Sequence, residues 1–256
     1  MIELDTIYNE DCLTGMQRIP DGSVDCIICD LPYEVLNKGN ADAQWDRLIP
    51  MEPLWEQYKR VTKPNAAIVL FCQGMFTARL MMSQPKMWRY NLIWDKTVKT
   101  GFLNARRMPL RQHEDICVFY RELPTYNPQM TKGEKHQRHP KSKKEKESNR
   151  CYGDFPTKEP TVSDEMFPSS IIGISKGNSK EIWQHPTQKP VDLIAYLIRT
   201  YSNPGDTILD NTIGSGTTAV AALREKRHFI GFELNRDYYD IALRRIKLEQ
   251  QQQTLF

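Results

Sequence analysis

The chain has 256 residues, 39% hydrophobic and 26% charged, the profile of a globular α/β unit with an elaboration. Its longest apolar run, residues 66–71, falls far short of the ~20 needed to span a bilayer, and no apolar segment follows a basic start near Met1. Six cysteines without an export signal point to reduced thiols in a cytoplasmic setting, so a membrane protein, a disulfide miniprotein and a disordered chain are all set aside.

In chain order, residues 24–29 (VDCIIC) read as a buried strand. Residues 54–61 read as a helix, ended near Lys63-Pro64 because proline cannot continue the hydrogen-bond ladder. Residues 66–71 and 116–119 (ICVF) are further buried strands, and strands alternating with helices imply βαβ units in a largely parallel sheet. Residues 121–182 change character, with six prolines and little periodicity, as expected of a functional or disordered insertion. Within them, residues 131–150 carry eight Lys and Arg against three Glu, a local +5 within a whole-chain +3. Such a run is a solvated loop or a segment that binds a polyanion. Order returns with a helix at 191–201, a strand at 207–209, a helix at 217–226, a strand at 229–232 and a helix at 238–250, beyond which 250–253 fray. The chain thus divides into 1–120, 121–182 and 183–256.

Two motifs carry chemistry. The stretch Thr207-Ile-Leu-Asp210-Asn-Thr-Ile-Gly214-Ser-Gly216-Thr-Thr218 ends a strand on an acid, turns on glycines and starts a helix. Glycines admit a ligand close to the backbone, and the helix start offers unpaired N–H groups. Glu233, at the tip of the next strand, is placed to accept hydrogen bonds from ribose hydroxyls. A nucleoside-containing cofactor follows; Gly214-Ser-Gly216-Thr-Thr-Ala219 also satisfies the looser dinucleotide fingerprint, so an NAD-linked oxidoreductase is one rival. Asp30-Leu31-Pro32-Tyr33 follows strand 24–29, at the end of the sheet where open α/β folds bind ligands. A carboxylate, a turn carbonyl and an aromatic ring can hold a flat, amine-bearing ring.

Together these motifs resemble the amino-methylating DNA methyltransferases, which modify N6 of adenine or N4 of cytosine. The family's catalytic motif is (D/N/S)PP(Y/F/W) and its cofactor motif is often DPFxGSGTT. Tyr8-Asn-Glu-Asp11-Cys12 is similar to its N-terminal stretch, and His185-Pro-Thr-Gln-Lys189-Pro190 matches its HPTQKP motif residue for residue. The order, catalytic motif first and cofactor motif last, is that of the β subgroup. The resemblance implies a Rossmann-like methyltransferase sheet with helices on both faces. Its catalytic half would be 1–120, its DNA target-recognition insertion 121–182 and its cofactor half 183–256. S-adenosylmethionine would be held by Asp11, Cys12, Asp30, Thr187, Lys189, Asp210, Thr212, Gly214, Ser215, Gly216, Thr217, Thr218 and Glu233, with Thr187 and Lys189 near its carboxylate. Asp30 and Leu31 would accept the amine hydrogens of a flipped adenine in double-stranded DNA, with Pro32 fixing the turn and Tyr33 stacking. A homodimer is suggested, and a restriction endonuclease partner is left open.

Two departures matter: Leu31 replaces a proline but keeps its carbonyl, and Asn211-Thr212 replaces Pro-Phe, with Thr212 implying looser cofactor packing. The alternatives are a cytosine-N4 enzyme and a catalytically impaired nucleic-acid-binding partner. Arg106, Arg107 and Arg111, with Lys132, Lys141, Lys143 and Lys144, are candidate DNA contacts. Cys26 and Cys29 would face opposite sides of one strand, and no metal site is expected. The tryptophans are read as core or interface residues, and neither His113 nor His185 belongs to a legible triad.

Overall fold

In a computed structural model, residues 2–33, 47–138, 161–175 and 188–253 are described. The chain forms two compact units, Met1–Asn127 with Ser170–Phe256, and Pro128–Ser169. The first holds β1 (Thr6–Tyr8), α1 (Cys12–Met16), β2 (Val24–Asp30), α2 (Met51–Val61), β3 (Thr62–Cys72), α3 (Met75–Ser83), β4 (Trp88–Thr100) and β5 (Arg111–Phe119). It resumes with β8 (Ile171–Gly173), α4 (Val191–Tyr201), β9 (Thr207–Asp210), α5 (Thr217–Arg224), β10 (His228–Phe232) and α6 (Arg236–Gln253). The second unit is the antiparallel pair β6 (Thr131–Arg138) and β7 (Thr161–Met166).

Eight strands form one sheet in the order β1-β10-β9-β2-β3-β5-β4-β8. From β1 to β3 every pairing is parallel, as the sequence implies, whereas β5 runs antiparallel to both β3 and β4. Both faces are covered, which is why the central strands read as unbroken apolar runs. Alternation sorts their side chains. Cys26 and Ile28 join the cluster under α4, α5 and α6, while Ile27 and Cys29 join the cluster under α1, α2 and α3. The two cysteines therefore do face opposite sides, and both are buried. Trp55 and Trp94 are fully buried; Trp45 and Trp183 lie outside the described residues.

Several boundaries differ from expectation. α2 starts at Met51, with Pro53 in the first turn, where its missing N–H costs no hydrogen bond; after Val61 the chain passes directly into β3, which contains Pro64. α5 stops at Arg224, and Lys226 adopts a left-handed φ of 59°. α6 continues through Gln253 rather than ending at Gln250. Segment 121–182 contains regular structure after all: β6, β7 and β8. β6 (TKGEKHQR) is almost wholly polar, so no apolar alternation marked it.

The site follows from the topology. From β2 the chain reaches β3 through α2 on one face, and from β9 it reaches β10 through α5 on the other. At the β2–β9 boundary the connections therefore diverge, opening a crevice at the carboxyl ends where Asp30 and Asp210 sit.

Candidate active site

A cavity of about 810 Å³ opens at this switch point, within the usual range for small-molecule sites. It is lined both by Asp30, Leu31, Pro32 and Tyr33 and by Asp210, Thr212, Gly214, Ser215, Thr217 and Thr218, with Asp11, Cys12, Lys189 and Glu233. The two motifs, some 180 residues apart in sequence, are joined by a single hydroxyl. Thr212 Oγ1 donates to the Asp30 carbonyl at 3.0 Å and lies 2.9 Å from Cys29 Sγ. Thr212 thus ties the two loops together, a role its small size alone did not suggest.

Asp30 sits at the end of β2. Its Oδ1 accepts from the Tyr33 hydroxyl at 2.5 Å, and its Oδ2 accepts from the Lys189 ammonium. Burial, then the Asp30 charge, pushes the Tyr33 hydroxyl well above its ordinary range, so it remains a donor. The Tyr33 ring packs against Phe76 with centroids 4.9 Å apart. Leu31 is buried in the cluster under α1–α3, which holds the turn without the missing proline.

Lys189 connects Asp30 to residues the sequence did not single out. Its ammonium lies 3.4 Å from Glu114 Oε2, an ion pair without hydrogen-bond geometry, and 5.0 Å from the centre of the Phe71 ring. Lys96 donates to the other Glu114 oxygen at 3.2 Å. Burial works to raise the Glu114 carboxyl, but the Lys189 and Lys96 ammoniums outweigh it and hold the group below its usual range. Burial likewise works against the Lys189 charge, and Asp30 and Glu114 overcome it. Two ammoniums and two carboxylates thus balance within the cavity wall. The available signal was alternation: Lys96 and Glu114 each stand two positions from a buried apolar residue, Trp94 in β4 and Ile116 in β5, and so share its face, where burial without a partner would be costly.

On the other side, Asp210 ends β9 and accepts from the Thr218 hydroxyl at 2.6 Å and the Thr212 N–H at 3.1 Å. Glu233 takes one backbone N–H on each oxygen, from Gly214 at 2.9 Å and Asn235 at 2.7 Å. Burial raises its carboxyl, and those N–H groups partly offset the shift. Each oxygen keeps a lone pair, and a carboxylate so placed can accept from two vicinal hydroxyls. Gly214 is in the left-handed region at φ 55°, and Gly216, at φ 82°, packs against Ala242 of α6. Asp11 caps α1 through a 3.0 Å bond from the Thr14 N–H. Burial pushes the Cys12 thiol up to about 11, so it stays protonated. Cys12 also meets Asn211, which stands where the family motif has a proline; it is buried and accepts from Tyr58 at 2.5 Å.

Of the proposed DNA contacts, Arg111 lines the cavity and donates to Gln73 at 3.0 Å, while Arg106 and Arg107 are exposed on the β4–β5 loop. Lys132 is exposed on β6 in the second unit. Thr187, His185, Lys141, Lys143 and Lys144 lie outside the described residues. Among the described residues, no group of three or more His, Cys, Asp or Glu side chains is arranged to hold a metal, and no helix is long and apolar enough to cross a membrane.

An open sheet with its cleft at a topological switch point is the architecture of enzymes that bind a nucleotide-like cofactor beside a substrate. Comparison with known proteins gives the family. The model for the N6/N4 DNA methylases matches residues 24–244, and the chain belongs to that DNA methyltransferase family. Among curated relatives, the Type II methyltransferase M.BglII of Bacillus subtilis is 28% identical, the match covering 93% of this chain and 68% of that protein. The DNA adenine methyltransferase YhdJ of Escherichia coli K12 is 26% identical, over 95% and 83% respectively. Among solved structures, the M1.HpyAVI–SAM complex aligns with a TM-score of 0.62 at 22% identity, covering 94% of this chain and 98% of that one. The cytosine-N4-specific PvuII DNA methyltransferase aligns at 0.66 and 17%, covering 94% and 85%.

Proposed function

We propose that this chain transfers a methyl group from S-adenosylmethionine to N6 of an adenine flipped out of duplex DNA. The observation that carries the proposal is the convergence of the Asp30 tetrapeptide and the glycine turn on one cavity, bridged by the Thr212 hydroxyl.

The residues present fit such a cofactor. Glu233 has lone pairs left for a ribose diol, and the Gly214 turn brings backbone close to the cavity. Lys189 offers an ammonium for a carboxylate, and Asp11, Cys12, Asp210, Thr212, Ser215, Thr217 and Thr218 complete the wall. When bound, the cofactor supplies a methyl group activated by a positively charged sulfur. The chain's own part is positioning and electrostatics. The Asp30 carboxylate and the Leu31 carbonyl accept the two amine hydrogens, favouring a nitrogen whose lone pair points into the cavity. Tyr33, braced by Phe76, stacks on the base. The Lys189 ammonium, bonded to Oδ2, fixes the orientation of the Asp30 carboxylate. Arg106, Arg107 and Arg111 contact phosphates, and segment 121–182 contributes target recognition.

Adenine is favoured because Asp30 heads the tetrapeptide, as in the adenine-modifying members that the motif resembles, and because the E. coli relative is named an adenine methyltransferase. The PvuII enzyme has the same fold, so product analysis decides the base. The test measures methyl transfer to unmethylated duplex DNA and identifies the modified nucleoside. Asp30→Ala should lower the rate by ~100-fold or more, and the product should be N6-methyladenine. Near-normal activity in the variant overturns the mechanism; N4-methylcytosine overturns the choice of base.

A further inference from the structure

The β4–β5 hairpin carries a feature that methyl transfer itself does not use. Its last cross-strand pair, Thr100 with Arg111, lines the cavity, and Thr100 Oγ1 donates to the Arg111 carbonyl at 3.2 Å. Beyond that pair, Gly101 turns the chain at a left-handed φ of 91°, which glycine adopts without strain. A single 3-10 turn, Phe102–Asn104, follows. It is held by backbone bonds from Asn104 N to the Gly101 carbonyl at 2.9 Å and from Arg107 N to the Asn104 carbonyl at 2.8 Å. This stiff tip presents large apolar side chains to solvent: Leu103 is fully exposed and Phe102 largely so. Exposing them costs free energy unless something covers them.

The charge around the tip indicates what does. Residues 97–113 contain Lys99, Arg106, Arg107 and Arg111 and no acidic residue. An apolar point flanked by cations, beside a cavity sized for a small ligand, matches a duplex from which one base has been drawn. Extruding a base leaves an apolar gap in the stack, and phosphates border that gap on both sides.

We propose that Leu103, backed by Phe102, enters the base stack of duplex DNA and fills the space left by the flipped base, while Arg106 and Arg107 hold the flanking phosphates. The role rests on the methyl-transfer function proposed above and extends it by assigning the residue that keeps the base out. Duplex DNA accounts for both the apolar tip and the cations around it; a second copy of this chain is the competing occupant.

The experiment uses the full chain and two duplexes carrying a target site mapped by sequencing DNA methylated by the wild type. In one the target base is paired; in the other it lies opposite an abasic position, so that it is already unpaired. Leu103→Ala and Phe102→Ala, both at exposed positions, should melt at the wild-type temperature. Leu103→Ala should lower kcat/KM on the paired duplex by ~10-fold or more and leave the abasic duplex within about two-fold, because only the paired base needs help leaving the stack. Equal losses on both duplexes, or none on either, overturn the wedge. So does sedimentation showing that Leu103→Ala splits a dimer formed by the wild type. If the wild type methylates neither duplex, it is the methyl-transfer function that fails, an outcome distinct from all of these.

Discussion

Asp210 is a carboxyl sealed between the hydroxyl of Thr218 and the N–H of Thr212, and burial pushes its pKa up to about 7. The folded chain therefore keeps a proton here that the unfolded chain releases near the ordinary carboxylate value of 3.8. Between those values the native state binds more protons, so this group's contribution to stability is greatest at low pH and falls as pH rises through about 7. The loss is on the order of 4 kcal/mol across the window. Asp210→Asn removes the titration. Urea unfolding at pH 5 and pH 8 should show a smaller pH-dependent loss in the variant than in the wild type. Parallel losses in the two proteins would assign the proton to another group. Glu114 has the opposite linkage, its depressed carboxyl contributing stability that is lost as pH falls, so the comparison must be made against wild type rather than read from one curve.

Among the elements, the start of α5 is constrained both by its backbone and by its neighbour. Gly216 is left-handed at φ 82°, and a Cβ there would come within 2.9 Å of Ala242 Cβ and 3.1 Å of its Cα. Gly216→Ala therefore strains its own backbone and pushes on α6, whose Arg245 also holds the turn through a 2.7 Å bond to the Ser215 carbonyl. The expected cost is roughly 2–4 kcal/mol, read as a lower urea midpoint with an unchanged slope; an unaltered midpoint would mean that α6 yields freely. This turn was legible in the sequence because its glycines and its flanking strand and helix lie together in the chain. So were the strands 24–29 and 66–71, since burial on both faces leaves an apolar run that needs no partner to be recognised. What escaped is what depends on the fold. Lys96 and Glu114 become a site only when β4 and β5 pair beside the loop carrying Lys189. The hydroxyl of Thr212 gains its role only when β9 lies against β2. β6 was missed because its polar sequence carries no burial pattern.

At the scale of the whole molecule, charge is the feature that reaches beyond the cleft. The lysine-rich residues 131–150 hold a local +5 in a chain of +3. If they serve DNA binding, replacing Lys141, Lys143 and Lys144 with Gln should weaken duplex binding and reduce the slope of log K against log salt by about 0.9 for each phosphate no longer neutralised. Titrations at several salt concentrations measure this, and an unchanged slope would return the run to a solvated role.

The bond between Thr212 and Asp30 has a further consequence. The partners across the crevice are lateral neighbours in the sheet, contributed by stretches on either side of the second unit. Nothing in that adjacency depends on which stretch is translated first. A gene rewired to encode β9 and β10 ahead of β2 and β3 would still align the same two loops, so the serial order of the motifs is a matter of wiring that the chemistry does not dictate.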